Sequence, residues 1–577
     1  MNIEKWFPFS GWIKKYSRED FKSDLPAGLT VGVMLIPQGM AYSMLAGLPP
    51  IYGLYASTIP LILYALFGTS RQLAVGPVAM ISLFIATGVG SLAPVGSPEY
   101  IGLAILLALM VGIIQFSLGL FRLGFLVNFL SRPVISGFTS AAALIIGLSQ
   151  LKYLLGINIS RTNFIHEVLY QAFLNAENIH VLTVILGGAG ILVVLIVQKW
   201  RKAIPGPLIA VALSIVSVYA FGLYDKGVTI VGEIPGGLPS FFIPPFSWDG
   251  LNELLPMAIT ISLVGFMQSI AAAKAMQARH KNYQIDSNQE LIGLGIANIG
   301  GSFFQSFPIT GGFSRTAVND QVGGKTAMSS IVSAALIIFT LLFLTPLFYY
   351  LPNAILASVI MVAVFGLIDY KEALHLWKVD KRDFLMLLTT FIATLFMGIE
   401  EGILLGVMLS LAMVVYRSTY PHMALLGKVP GTAQYRNIKR FPLARQFDHI
   451  LIVRFDAPLF FANISYLKDK IAEMESGREE DIRLIILSAE AINGMDSSAV
   501  YGLLELIEEY RKRGIVFYLS GVTGPIRDIM HRGGLIQYLG EENFFMYVDE
   551  AVSHFTGKQE GKEMEKGNTF AIQANIG

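Results

Sequence analysis

Arg315 stands in the stretch FPITGGFSRTAVN (residues 307–319), where a guanidinium follows Pro308 and the paired glycines Gly311 and Gly312 in a chain otherwise rich in apolar residues. A cation at the depth of a bilayer is costly unless it faces a cavity or a partner, so it reads first as a functional group. A helix that begins in mid-membrane presents unpaired N–H groups and the positive end of its dipole, which together suit an anion. Gly312, Phe313 and Ser314 would form such a start. Ser314 and Thr310 add hydroxyls that donate to anion oxygens, although serine and threonine also bond to their own helix backbone. A second start is expected at Gly76-Pro77 in AVGPVAMISLFIATG (residues 74–88), because proline suits a first helical turn and glycine lets a ligand approach the backbone. There the N–H groups of Val78 and Ala79 would line the other side of the gap. Gln38 and Tyr42, four residues apart, share a helical face, and both donate hydrogen bonds without adding charge. Plainer readings exist for each: glycines for close helix packing, Arg315 paired with a carbonyl or carboxylate, Gln38 and Tyr42 bonding between helices. Packing alone does not explain why both glycine-led segments are short and fall at matching positions.

The elements that must hold these groups follow from composition. Of 577 residues, 54% are hydrophobic and only 14% charged, which marks an integral membrane protein in contact with a lipid bilayer. A formal net charge of +1 supplies no basic face for a nucleic acid. With no cysteine there is no disulfide, thiolate zinc site or cysteine nucleophile. No metal-ligand, phosphate-loop or nucleophile motif appears in its required context, so neither a metal, a cofactor nor an enzymatic activity is expected. The first residues carry Lys5, Lys14, Lys15, Arg18 and Lys22 without the short apolar core of a cleaved signal.

Apolar spans of crossing length lie near 25–46, 51–67, 100–120, 125–149, 181–199 and 206–224, then near 251–275, 288–304, 328–348, 353–369, 383–399 and 401–417. Adding the two short segments gives an α-helical polytopic fold of fourteen elements. Seven precede the polar loop at 225–250 and seven follow it, with a short segment third in each set. An odd number per half forces opposite orientations, the inverted repeat of many transporters, here about 25–224 and 251–420. With the N-terminal segment 1–24 in the cytoplasm, alternate connections hold fourteen Lys and Arg on the inner side, from Arg71 to Arg382, against Lys152, Arg161 and Lys226 outside. Both termini are therefore expected to be cytoplasmic.

Beyond residue 435 charges become frequent. HILIVRF (449–455), IRLIILS (482–488) and IVFYLS (515–520) predict buried strands, alternating with helices in NISYLKDKIAEM, SSAVYGLLELIEEYRKRG and GPIRDIMHRGGL, the second ending at Gly514. A small α/β domain is expected over 435–557, with a disordered tail at 558–577.

Taken together, LIPQGMAYSMLAGLPPIYGLYAS (35–57), FGTSR (67–71), AVGPVAMISL, NQELIGLGIANIGGSFF (288–304), GGFSRTAVN and NGMDSSAV (493–500) resemble the sulfate permease (SulP) family of anion transporters with a carboxy-terminal STAS domain. The resemblance covers nearly the whole chain. It implies a core domain that moves against a gate domain, alternating access, a homodimer and a cytoplasmic STAS domain in the cell membrane. It also places Gln38 and Tyr42 on the family's anion-binding face. Many proton-coupled relatives have a glutamate where this chain has Gln268, so proton symport through that position is in doubt, and sodium coupling or exchange gains weight. The substrate implied is sulfate or a similar oxyanion, with bicarbonate or chloride transport, or an anion channel, as alternatives. Ser497 and Ser498 match a serine that is phosphorylated in related anti-sigma-factor antagonists, so a regulatory partner at the STAS domain is one reading and a plain helix cap the other.

Overall fold

The structure, a computed structural model, describes residues 7–125, 131–159, 165–200, 206–280 and 283–557. The chain divides into two compact units, Met1–Ser410 and Leu411–Gly577.

The first unit is helical. Its principal helices are α1 (Arg18–Leu45), α2 (the consecutive pieces Pro50–Tyr55 and Ile59–Phe67), α3 (Ala79–Gly88), α4 (Pro98–Leu120), α5 (Arg132–Ser149), α6 (Val181–Trp200) and α7 (Gly206–Ala220). After them come α8 (Trp248–His280), α9 (Ser287–Ser302), α10 (Phe313–Val322), α11 (Met328–Phe339), α12 (Asn353–Phe365), α13 (Lys381–Phe396) and α14 (Ile399–Thr419), within which the division after Ser410 falls. Eight helical stretches among the described residues are long and apolar enough to cross a membrane. The packing has the symmetry of a duplicated chain. Contacts α4–α9, α1–α11, α5–α13 and α1–α10 become α11–α2, α8–α4, α12–α6 and α8–α3 when α1–α7 are exchanged in order for α8–α14, and all of these are made.

Close backbone approach explains why the glycine-rich motifs belong where they are. A Cβ at Gly53 would stand 1.9 Å from the Gly39 carbonyl oxygen, so α1 and α2 touch through these two residues. Gly112 and Gly295 do the same for α4 and α9, where a Cβ would meet Ile299 N at 2.6 Å and Phe116 N at 2.5 Å. Two buried carboxylates pin connections to helices. Glu290 of α9 accepts from the Tyr64 hydroxyl (2.6 Å), Thr69 N and Oγ1 (2.6 Å each) and Ser70 N (2.9 Å). Asp24 of α1 accepts from Lys325 N, Thr326 N and Thr326 Oγ1.

Several boundaries differ from expectation. Helix α1 starts at Arg18 rather than 25, because Ser17 and Asp20 form a reciprocal capping box in the segment expected to precede the first span. Residues 370–379, expected as a cytoplasmic connection, form a helix (Tyr370–Val379) capped by Asp369. Helix α3 starts at Ala79, with Val78 as its N-cap, rather than at Gly76-Pro77. The cause is a pairing that sequence periodicity does not announce: strand β1 (Val75–Gly76) runs antiparallel to β2 (Thr310–Gly311), which keeps Gly76 extended.

The second unit is a six-stranded sheet with helices. Its strands are β3 (Met423–Lys428), β4 (Tyr435–Asn437), β5 (Ile450–Phe455), β6 (Leu484–Ser488), β7 (Val516–Ser520) and β8 (Phe544–Phe545), in the order β4-β3-β5-β6-β7-β8. Strands β5 to β8 are parallel, as α/β alternation predicts. The sheet takes in β3, which lies upstream of the expected start at 435. Leu451, Val453, Ile485 and Leu487 face one apolar core, and Ile450, Ile452, Leu484 and Ile486 the other, the period-2 pattern of a sheet covered on both sides. Helices α15 (Ile464–Ser476), α16 (Ser497–Lys512), α17 (Gly524–Arg532) and α18 (Leu535–Leu539) follow the predicted segments. Gly514, at φ +75°, closes α16 with Ile515 N donating to Tyr510 O at 2.9 Å. The tail expected at 558–577 lies outside the described residues.

Candidate anion site

The chain brings the starts of α3 and α10 together by pairing the two extended pieces that precede them. Val75 faces Gly311, Gly76 faces Thr310, and Gly312 N donates to Ala74 O at 2.9 Å. Neither helix has a side-chain N-cap bond, with Val78 and Gly312 at the cap positions, so both present free N–H groups to one small region. Gly76 has φ +148°, a conformation that glycine reaches without a Cβ penalty.

Arg315 is the third residue of α10, within the first turn, and its side chain folds back toward the helix start as helical side chains do. A Cβ at Gly312 would lie 2.7 Å from both Cζ and Nη2 of Arg315, and one at Gly76 would lie 3.5 Å from Nη2. The guanidinium thus covers both paired ends. It is 2% exposed, and Nη1 donates to Pro77 O at 2.9 Å and Gln38 Oε1 at 3.4 Å. Nε and Nη2 are buried and find no acceptor among the described residues. None of these contacts is a carboxylate.

Gln38 and Tyr42 are both buried on α1, and Tyr42 lies within electrostatic reach of Arg315. Val78 and Ala79 are buried at the start of α3. Phe313 is 52% exposed and Ser314 is exposed, so the start of α10 opens on one side to accessible space. Gln38, Gly76 and Gly312 thus stand against the Arg315 guanidinium, and Val78 and Ala79 follow Pro77, whose carbonyl it bonds. Thr310 does not offer a hydroxyl there, because its Oγ1 is bonded to Gly265 O (2.5 Å) and to Ser269 Oγ (2.7 Å). Gln268 makes no hydrogen bond to Arg315. It lies on the α8 face of Gly265, which packs on Thr310 and Ile81, and its buried Oε1 has no donor among the described residues.

Sequence reasoning passed over the side chains that fix this geometry. Ser269 Oγ accepts from Gly311 N at 2.8 Å. Thr316 Oγ1 accepts from Ala74 N at 3.0 Å, and Asn319 Nδ2 donates to Gln72 O at 2.9 Å, so the inner face of α10 is stitched to the strand before α3. Asn298 of α9 holds both backbone groups of Ile309, accepting from its N (2.9 Å) and donating to its O (3.2 Å), as a neighbouring strand would. Gln115 of α4 fixes that amide through Asn298 Nδ2 at 3.1 Å. The available signal was polarity: Gln115 and Asn298 are amides within apolar spans.

In the second unit, the cap of α16 is Asp496, which accepts from Ala499 N at 2.8 Å. Ser497 and Ser498 are its first two helical residues and both are exposed, which leaves their hydroxyls clear of the cap.

The sulfate permease family profile matches residues 21–390 and the STAS domain profile residues 441–551. Sulfate transporter 4.1, chloroplastic, of Arabidopsis thaliana is 45% identical over 571 residues, covering 95% of this chain and 82% of that protein. High affinity sulfate transporter 2 of Stylosanthes hamata is 35% identical over 580 residues, covering 97% and 87%. Among solved structures, that of SLC26A9 superposes with a TM-score of 0.89 at 26% identity, covering 98% of this chain and 95% of the other. The transmembrane domain of a cyanobacterium bicarbonate transporter, BicA, superposes with a TM-score of 0.60 at 26% identity, covering 68% and 98%.

Proposed function

The chain belongs to the sulfate permease family and carries a STAS domain, and from that premise we propose that it is a secondary transporter of sulfate or a similar oxyanion, bound between the starts of α3 and α10. The observation that carries the site is Arg315: a buried guanidinium over two uncapped helix starts, with no acceptor for Nε and Nη2 and no carboxylate beside it among the described residues. Buried donors left unpaired are costly, and an oxyanion satisfies them while neutralising the charge. Gln38, Tyr42, the N–H groups of Val78 and Ala79, and Gly312, Phe313 and Ser314 complete the shell. Thr310 acts from behind, through β2.

Gln268 cannot titrate, so this position carries no coupling proton. Sodium coupling or anion exchange fits such a site better than proton symport through α8. An inverted repeat of seven elements per half, one of them a half-crossing in each, accounts for the exchange symmetry of the packing. The excess of Lys and Arg on alternate connections supports cytoplasmic termini, and we assign the protein to the cytoplasmic membrane as a homodimer whose STAS domain offers Ser497 and Ser498 to a regulatory partner.

The test is uptake of labelled sulfate, bicarbonate and chloride into proteoliposomes under imposed proton and sodium gradients in turn. Saturable sulfate flux is expected. Sulfate flux absent under every gradient, with bicarbonate or chloride carried instead, would transfer the site to those anions, and ohmic conductance without coupled flux would make it a channel.

A further inference from the structure

A cavity of about 250 Å³ lies between the ends of α1, α3 and α5, lined by Leu45, Leu83, Thr87, Gln150, Lys152 and Tyr153 among others. It is separate from the Arg315 site but built on the same two helix faces. On α1, Gln38, Tyr42 and Leu45 follow one another along a face; on α3, Ala79, Leu83 and Thr87 do so. Leu83 and Thr87 stand four and eight positions past Ala79, so the cavity wall runs from about 6 to about 12 Å beyond the site at 1.5 Å per residue. Tyr42 and Leu83, both buried, stand between the two.

The chemistry of the wall is lopsided. Lys152 is its only formally charged side chain among the described residues, and no carboxylate lines it. The Lys152 ammonium sits 4.7 Å from the centroid of the Tyr153 ring and forms no ion pair among the described residues. Thr87, Ser91 and Ser149 donate their hydroxyls to Leu83, Gly88 and Ile146 carbonyls, so they have no proton left for a ligand. The carboxyl end of α3 also faces this space with the negative end of its dipole, which weakens the hold on an anion. A single cation opposed by that dipole is suited to brief capture rather than storage.

We propose that this cavity is the outer end of the anion's path and that Lys152 captures the transported oxyanion there before it reaches Arg315. The inference rests on the transport reading above and adds an external waypoint to it. Capture of this kind acts on the apparent affinity from one side and fades as salt screens it, the Debye length falling from ~8 Å at physiological ionic strength to ~3 Å at 1 M.

The native chain has no cysteine, so Lys152→Cys creates a unique thiol. In proteoliposomes of the full-length protein, Lys152→Cys is expected to raise KM for labelled sulfate presented on the cavity side on the order of tenfold at low salt, with kcat unchanged. A membrane-impermeant methanethiosulfonate bearing an ammonium should restore KM, whereas one bearing a sulfonate should raise it further. Lys152→Arg should retain the wild-type KM, and at 1 M salt all variants should converge. An unchanged KM in Lys152→Cys, or the same response to both reagents, overturns the proposal. Absence of oxyanion flux in the unmodified wild type would instead overturn the transport reading, and this inference with it.

Discussion

At the scale of single residues, Arg315 and Gln268 carry the account. Arg315 is buried without a carboxylate, and removing one partner of a buried charged hydrogen bond costs about 2–5 kcal/mol of binding, roughly 30-fold or more in affinity. Arg315→Lys keeps the charge but not the planar fork, so it is expected to retain part of the transport that Arg315→Gln loses. Gln268→Glu introduces a titratable group on the α8 face that packs against Thr310, and uptake should become more dependent on pH than in the wild type. A pH–rate profile superimposable on that of wild type would dismiss that role for the position. Arg315 drew notice in the sequence because a charge is rare in an apolar span, and Gln38 and Tyr42 because they stand four apart and match the family's anion-binding face. The fate of the Thr310 hydroxyl was not, because its partners Gly265 and Ser269 lie more than forty residues away in the chain.

At the scale of elements, the site depends on how two half-helices are aimed. The three atoms nearest a Cβ at Gly312 all belong to the guanidinium of Arg315, so Gly312→Ala should displace that group, lower transport about tenfold or more and leave the melting temperature within a few degrees of wild type. Asn298→Ala strips both backbone partners from Ile309 in a buried setting, and unsatisfied buried groups cost about 1–3 kcal/mol each. It should therefore lower both thermal stability and transport; intact stability in a thermal-shift assay would show that the clamp is dispensable. The half-helices were legible from their shortness, their glycines and their matching places. The β1–β2 pairing was not, since two-residue strands have no periodicity to read, and the same pairing moved the start of α3 from Gly76-Pro77 to Ala79.

At the scale of the whole molecule, the family and the succession of apolar spans were legible because composition and motifs run the length of the chain. The limits of the α/β unit were less so, because β3 (MALLGK) is a short apolar run that follows α14 by three residues, ahead of the rise in charge. In that unit Asp549 is held below the usual carboxylate range, first by its bond to Lys428 and then by Tyr435. Burial pushes Asp456 up, but Arg454 and His422 outweigh it and hold its carboxyl low. Carboxyls with lowered folded pKa stabilise the fold above the unfolded value, about 3.9, and that contribution is lost as pH falls below it through the folded values. Hydrogen-exchange protection across residues 423–557 in the full-length protein, taken relative to the intrinsic exchange rate at each pH, should therefore fall as pH drops below about 4, and Asp456→Asn should blunt that fall; protection that is flat across that range would contradict it. The central claim, that an oxyanion is the counter-charge of Arg315, is tested most directly by equilibrium binding of labelled sulfate to purified wild type and Arg315→Gln, with melting temperatures measured on the same samples. The account predicts saturable binding to wild type, binding weakened at least about 30-fold in the variant, and a variant no less stable, since the change removes a costly buried charge. Equal binding by the two proteins would contradict it.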